Sequence, residues 1–215
     1  MIAEALVRIA GGSGIVLDGR LAVPATAAGG VAICHPHPQY GGDMDNPVVV
    51  RAAEVCQAAR LATMRFNFRG VGGSTGAFDN GRGEQDDLMA AHAHLAGSLP
   101  AGAPIAVAGY SFGATIAARV AMRRRVAGLA LIAPALAMAA LADLTDLSTF
   151  KQPLLVVAGT ADQYCPLDAL ERFVRSIPDA TVRTIDGADH FFFGKLFPLG
   201  EVIAPWARAV AAQSP

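Results

Sequence analysis

The sequence predicts an α/β fold, a mostly parallel central sheet with helices on both faces, formed as a single domain over residues 1–215. Three observations predict it. Short, continuously apolar runs such as Gly30–Cys34, Val126–Ala133 and Pro153–Ala158 read as strands covered on both sides, and segments of helical period separate them. The stretch Pro104–Ala121 compresses that pattern into one unit: the apolar run Ile105–Ala108 meets Gly109-Tyr-Ser-Phe-Gly113, and an alanine-rich helical segment follows at once. A chain of 215 residues is also long enough to bury the core such a sheet needs.

Composition excludes several classes. A net charge of −1 and a pI of about 6.5 leave no electrostatic footprint for nucleic acid or an anionic membrane. Cys34, Cys56 and Cys165 are odd in number and scattered without a C-x-x-C, which argues against a disulfide framework and a zinc site. The first residues lack the basic and apolar regions of a signal peptide, so a cytoplasmic location is expected. Val126–Ala142 is an uncharged run after Arg123-Arg-Arg125 and mimics a membrane span. Gly128 and Pro134 interrupt it, a doubly covered strand reads the same way, and a span there would separate Ser111 from His190; no membrane segment is expected.

The elements follow in order. Ala5–Ile9 and Ile15–Val23 alternate as strands and suggest an antiparallel opening, with Gly11-Gly-Ser-Gly14 between them lacking dinucleotide-binding spacing. Gly30–Cys34 runs into the loop His35-Pro-His-Pro-Gln-Tyr-Gly-Gly-Asp-Met-Asp-Asn46, and Asn46 as N-cap with Pro47 behind it predicts a helix to about Leu61. Thr63–Arg69 is the next strand. Gly70–Gly76 after it carries no phosphate-loop signature and reads as a turn. A helix from Glu84 to about Leu99 carries Leu88, His92 and Leu95 near one stripe, with His92 and His94 as helix-face residues. Beyond Pro104–Ala121 come strands at Val126–Ala133 and Pro153–Ala158. Residues 134–152 between them have room for one short helix and not for a cap, so an open site is expected. A helix at Leu167–Ile177, a strand at Thr181–Ile185 and an amphipathic helix at Val202–Ala212 complete the chain.

The chemistry centres on Gly109–Gly113. A strand, a sharp turn and a helix with serine at the apex form the G-x-S-x-G nucleophile elbow, where a Cβ at either glycine would clash as strand and helix close on each other. Ser111, Asp162 and His190 fall at the carboxyl ends of successive strands, in the order Ser…Asp…His. A serine hydroxyl is a poor nucleophile near pH 7, so a histidine must take its proton, and an aspartate must fix the imidazole tautomer. Asp168 falls inside a helix, Asp189 adjoins His190 in the loop, and Cys165 has no base beside it. An oxyanion formed at Ser111 needs backbone donors. Phe112 N–H is one, and because Pro36 and Pro38 have no N–H, the loop donor narrows to His37, with Gln39 as the alternative. His35-x-His37 could also be a metal pair, but no third ligand lies at an interpretable spacing, and no metal is expected.

With these residues in hand, the chain resembles the small capless bacterial α/β-hydrolases related to dienelactone hydrolase, over Val31 to His190. The resemblance rests on His35-Pro-His-Pro-x-x-Gly-Gly, Arg65-Phe-Asn-Phe-Arg-Gly-Val-Gly-Gly-Ser, Gly-Tyr-Ser-Phe-Gly, Gly-Thr-Ala-Asp and Gly-Ala-Asp-His-Phe-Phe. It implies an α/β-hydrolase fold without a cap domain and a cofactor-free serine hydrolase of carboxylesterase type using Ser111, Asp162 and His190. Dienelactone hydrolase itself carries cysteine at the elbow, so the serine here separates this chain from that substrate. The expected partner is a small-molecule ester, and Tyr40, Tyr164 and Phe191, with Phe78, Phe112, Phe192 and Phe193 nearby, are candidates to line an apolar acyl pocket. The same acyl-enzyme would serve a thioesterase, an amidase or an acyltransferase. A binding protein on a hydrolase fold is the non-enzymatic alternative.

Overall fold

A computed structural model describes residues 2–138 and 147–213. Eight strands form one sheet: β1 (Ala5–Ala10), β2 (Val16–Ala22), β3 (Gly29–Cys34), β4 (Leu61–Phe66), β5 (Ile105–Tyr110), β6 (Leu129–Ile132), β7 (Leu154–Gly159) and β8 (Thr181–Ile185). Their spatial order is β1-β2-β4-β3-β5-β6-β7-β8. β1 and β2 pair antiparallel, β2 pairs antiparallel with β4, and every pairing from β4 to β8 is parallel. This is the α/β-hydrolase fold.

Every residue of β3 to β7 is buried, which is the physical meaning of their continuous apolar runs. One face packs on α2 (Gly83–Gly97), α3 (Phe112–Arg123) and α4 (Leu167–Val174) through Leu88, Leu95, Ile116, Leu170 and Phe173. The other packs on α1 (Pro47–Ala58) and α5 (Leu196–Ala211) through Val49, Cys56, Leu199 and Trp206. Fully burying such side chains stabilises by about 1.5–3 kcal/mol each, before the ordering cost.

Several boundaries differ from the sequence reading: β4 spans Leu61–Phe66 against the expected Thr63–Arg69, β6 begins at Leu129 instead of Val126, and α4 ends at Val174 instead of Ile177. Those of α1 and α5 have clear local causes. α1 begins as expected, with Asn46 Oδ1 accepting Val48 N–H at 3.0 Å and Pro47 in its first turn. It ends at Ala58, because Arg60 turns left-handed (φ 63°) and Leu61 becomes the first residue of β4. α5 starts six residues before Val202, at Leu196. Pro198 lies in its first turn, where a proline is tolerated, and Pro205 sits inside it, so its periodicity was cut short in the sequence.

Chain reversal between β5 and α3 positions the site. Ser111 takes φ 56° and ψ −116°, a conformation L-residues rarely adopt. A Cβ on Gly109 would sit 2.1 Å from Gly113 O, and one on Gly113 would sit 2.5 Å from His35 O. The apolar run after Arg125 contributes β6 to the sheet interior, and no helix among the described residues is long and apolar enough to cross a membrane. Residues 133–153 join β6 to β7 with no inserted cap domain; of the stretch 134–152, where room for one short helix was expected, residues 139–146 lie outside the described residues.

Candidate active site

Three strand ends converge on one point of the sheet's carboxyl edge. Ser111 follows β5, Asp162 follows β7 and His190 follows β8. His190 Nε2 lies 3.0 Å from Ser111 Oγ, and its Nδ1 lies 2.8 and 3.0 Å from the two carboxylate oxygens of Asp162. Asp162 is acceptor-only when ionised, so this geometry puts the proton on Nδ1 and leaves Nε2 with a lone pair toward the serine hydroxyl. All three residues are less than a tenth exposed, at 8%, 3% and 6% for Ser111, Asp162 and His190. Asp162 Oδ1 also accepts the N–H groups of Tyr164 (2.8 Å) and Cys165 (3.0 Å), which compensates the cost of burying the carboxylate and fixes its plane.

Several neighbours that sequence reasoning left without a role support this arrangement. The Tyr110 hydroxyl donates to His190 O at 2.9 Å, and its ring lies 5.4 Å from the imidazole. Burial, with Asp162 and Asp189 nearby, pushes the Tyr110 phenol well above its usual value, so it stays a donor. Asp189 Oδ1 accepts Phe191 N–H (3.1 Å) and Phe193 N–H (3.2 Å), closing the turn immediately after His190. A signal for Tyr110 existed: a tyrosine inside a fully apolar strand end must find a partner for its hydroxyl. Cys165 is fully buried and its thiol is raised to about 12 by burial and by Asp162, which keeps it out of nucleophilic chemistry. Asp168 pairs with Arg172 on α4 at 2.7 Å instead of joining the site.

The loop after β3 holds both candidates for the second backbone donor, His37 and Gln39. Gln39 N–H is spent on His37 Nδ1 at 3.2 Å, while no backbone acceptor among the described residues takes the N–H of His37 or Phe112. His35 belongs to the framework. It has no exposed surface; its Nδ1–H donates to Pro36 O (2.6 Å) and its Nε2 accepts Phe68 N–H (3.0 Å). Both ring nitrogens are therefore engaged, which leaves no lone pair for a metal. Burial lowers its pKa from 6.5 to about 4; the Pro36 hydrogen bond opposes the shift and His37 adds to it.

The sign of that shift makes a prediction. Unfolded His35 takes a proton below about pH 6.5 and folded His35 only near 4, so the unfolded state binds more protons in between. Stability present above pH 6.5 should fall by up to about 3 kcal/mol as pH drops through that window. Urea unfolding between pH 7 and 4 should show a flatter profile for His35→Gln than for wild type. Parallel profiles would mean that His35 is not held neutral.

A cleft of about 610 Å³ opens over Ser111 and is lined by His37, Tyr40, Phe112, Tyr164, His190 and Phe191, among others. Tyr40 is 77% exposed at its rim, and Phe191 is 49% exposed beside the His190 ring at 5.6 Å. The Tyr164 ring lies 4.8 Å from the same ring, tilted by 57°. Phe192 turns the other way and is fully buried under the sheet, and Phe193 points to solvent. Phe78 contacts the Phe112 and His37 rings without lining the cleft.

Comparison with known proteins agrees with the fold. Residues 34–196 match the model of an alpha/beta hydrolase domain family. An uncharacterized protein of Rickettsia prowazekii is 34% identical over 184 residues, which cover 82% of this chain and 77% of that protein. An alpha-beta serine hydrolase homologue from Coxiella burnetii superposes with a TM-score of 0.86 at 35% identity, over 95% of this chain and 98% of the other. An α/β serine hydrolase without a lid from Xanthomonas campestris gives 0.87 at 30% identity, over 99% and 97%.

Proposed function

Since the chain belongs to the alpha/beta hydrolase domain family, we propose that it is a serine hydrolase cleaving small or short-acyl carboxylic esters through an acyl-enzyme. One observation carries the reading: His190 stands 3.0 Å from Ser111 Oγ with Asp162 on its far nitrogen. In this mechanism Ser111 Oγ attacks the ester carbonyl carbon as His190 Nε2 takes the hydroxyl proton. Asp162 stabilises the imidazolium that forms. The carbonyl oxygen becomes an oxyanion held by Phe112 N–H and His37 N–H, and each such donor contributes about 3 kcal/mol in the transition state. Collapse breaks the ester C–O bond, and His190 returns the proton to the departing alcohol. Water then attacks the acyl-serine with His190 again as base, and the carboxylic acid leaves.

The limit to small substrates is supported by the open cleft of about 610 Å³ and by a sheet that carries no cap to enclose a long chain. Tyr164 and Phe191, with Tyr40 at the rim, offer the acyl group an apolar wall. The test is turnover of a p-nitrophenyl ester series from acetate to laurate. The expected result is a maximum in kcat/KM at short acyl chains that declines with length. A maximum at laurate would overturn the short-acyl assignment, and no turnover of any member would overturn the esterase reading.

A further inference from the structure

We propose that His35 is a positioning residue: its bond to Phe68 ties the oxyanion loop to the segment after β4 and so holds His37 N–H where the substrate's oxyanion forms. The inference rests on the serine-hydrolase reading above and extends it to a residue that touches no substrate.

The loop from His35 to Asn46 pairs with no strand, so its placement depends on side-chain ties. They reach three residues at the end of β4: Asn67, Arg65 and Phe68. Asn67 Oδ1 accepts Met44 N–H at 2.8 Å, and Arg65 Nη1 donates to Met44 O at 2.5 Å and to Asp45 Oδ1 at 2.9 Å. These hold the distal half, near α1. The remaining tie is His35 Nε2 accepting Phe68 N–H at 3.0 Å, and it holds the half that carries His37, two residues away. Bonds inside the loop set its shape but not its location: Tyr40 N–H and Gly42 N–H both donate to His37 O at 3.1 Å.

His35 is built for this task. Its Nδ1–H is committed to Pro36 O, so its Nε2 lone pair faces Phe68 N–H without an alternative tautomer. The Phe68 ring packs edge-on at 4.6 Å, and the imidazole is fully buried and held neutral. The His35 carbonyl lies against the elbow so closely that a Cβ on Gly113 would come within 2.5 Å of it. A displacement of His35 therefore changes the spacing between the two donors, His37 N–H on the loop and Phe112 N–H on the elbow. Oxyanion stabilisation depends on that spacing. The two strings His35-Pro-His-Pro and Arg65-Phe-Asn-Phe-Arg thus act as one frame.

The experiment compares wild type, His35→Ala and His35→Gln as full chains. It measures fluorophosphonate labelling, melting temperature, kcat and KM on a p-nitrophenyl ester, and inhibition by an aryl trifluoromethyl ketone, whose serine adduct carries an oxyanion. His35→Ala should lose about ten- to hundredfold in kcat with KM within about threefold, and should weaken the ketone by a similar factor. His35→Gln should recover most of both, because its Oε1 reaches the position of Nε2 and can accept Phe68 N–H. Wild-type kcat and ketone affinity in His35→Ala would overturn the proposal. So would a His35→Gln chain that melts like wild type yet has lost kcat and ketone affinity to the extent expected for alanine. If His35→Ala fails to fold, recovery or loss in His35→Gln decides. Absence of a label on wild type would overturn the serine-hydrolase reading and this proposal with it; a labelled wild type beside unaffected variants overturns the positioning role alone.

Discussion

Ser111→Ala is expected to melt with the wild-type protein and to lose at least about 10⁴-fold in ester turnover. Stability should hold because alanine keeps the Cβ, so the strain at φ 56° is unchanged, and the hydroxyl removed makes one hydrogen bond, to His190 at 3.0 Å. Activity should collapse because Ser111 Oγ is the hydroxyl that stands within hydrogen-bond reach of His190 Nε2. Among the described residues the cleft lining contains no cysteine, and Cys165, behind Asp162, is buried with its thiol raised to about 12. Intact-protein mass after fluorophosphonate treatment reads the same point without a substrate: one adduct on wild type and none on Ser111→Ala. A variant that turns over esters at a tenth of the wild-type rate or better would remove Ser111 from the mechanism.

Gly109→Ala is the second large effect, and it acts on folding. The new methyl carbon would lie 2.1 Å from Gly113 O, 2.2 Å from Gly113 C and 2.6 Å from Ala114 N, all backbone atoms of the first turn of α3. No rotamer change relieves a backbone clash. α3 would have to withdraw from β5, and Ala114, Ala117 and Ala118 on its inner face are all fully buried. β5 cannot yield either, since Gly109 sits between Cys34 of β3 and Leu131 of β6 in the middle of the sheet. A loss of about 4 kcal/mol or more is expected, a large share of the roughly 5–15 kcal/mol that holds a domain of this kind. The comparison is Gly97→Ala at the end of α2, where a Cβ meets nothing within 4 Å and stability should change by less than about 1 kcal/mol. Urea midpoints measure both. Equal midpoints for the two variants would show that strand and helix are not in contact at the elbow.

Some features were readable because they are local. The alternation of β1 and β2, the N-cap at Asn46, the strand Thr181–Ile185 and the elbow all depend on residues within a few positions of each other, and all four stand where the pattern put them. The end of α1 was not readable, because Ala58-Ala-Arg-Leu61 continues a helical composition, and the turn at Arg60 arises where Leu61 enters the sheet beside Gly29. α5 was hidden for the opposite reason. Two prolines and Gly200 weaken its local signal, and burial of Leu199, Ile203, Trp206 and Val210 against the sheet outweighs them.

The candidate site divides along the same line. Residue type and strand order alone placed Ser111, Asp162 and His190 on one edge of a parallel sheet, since such a sheet brings all its carboxyl ends together whatever the helices do. The hydrogen bonds between them, the Tyr110 hydroxyl beneath His190 and the clip between His35 and Phe68 join residues 28, 79, 80 and 33 positions apart. Contacts of that kind leave no periodicity and no spacing in a single chain. They exist only once buried polar groups, shut away from water, have had to find partners among whatever the fold brings near.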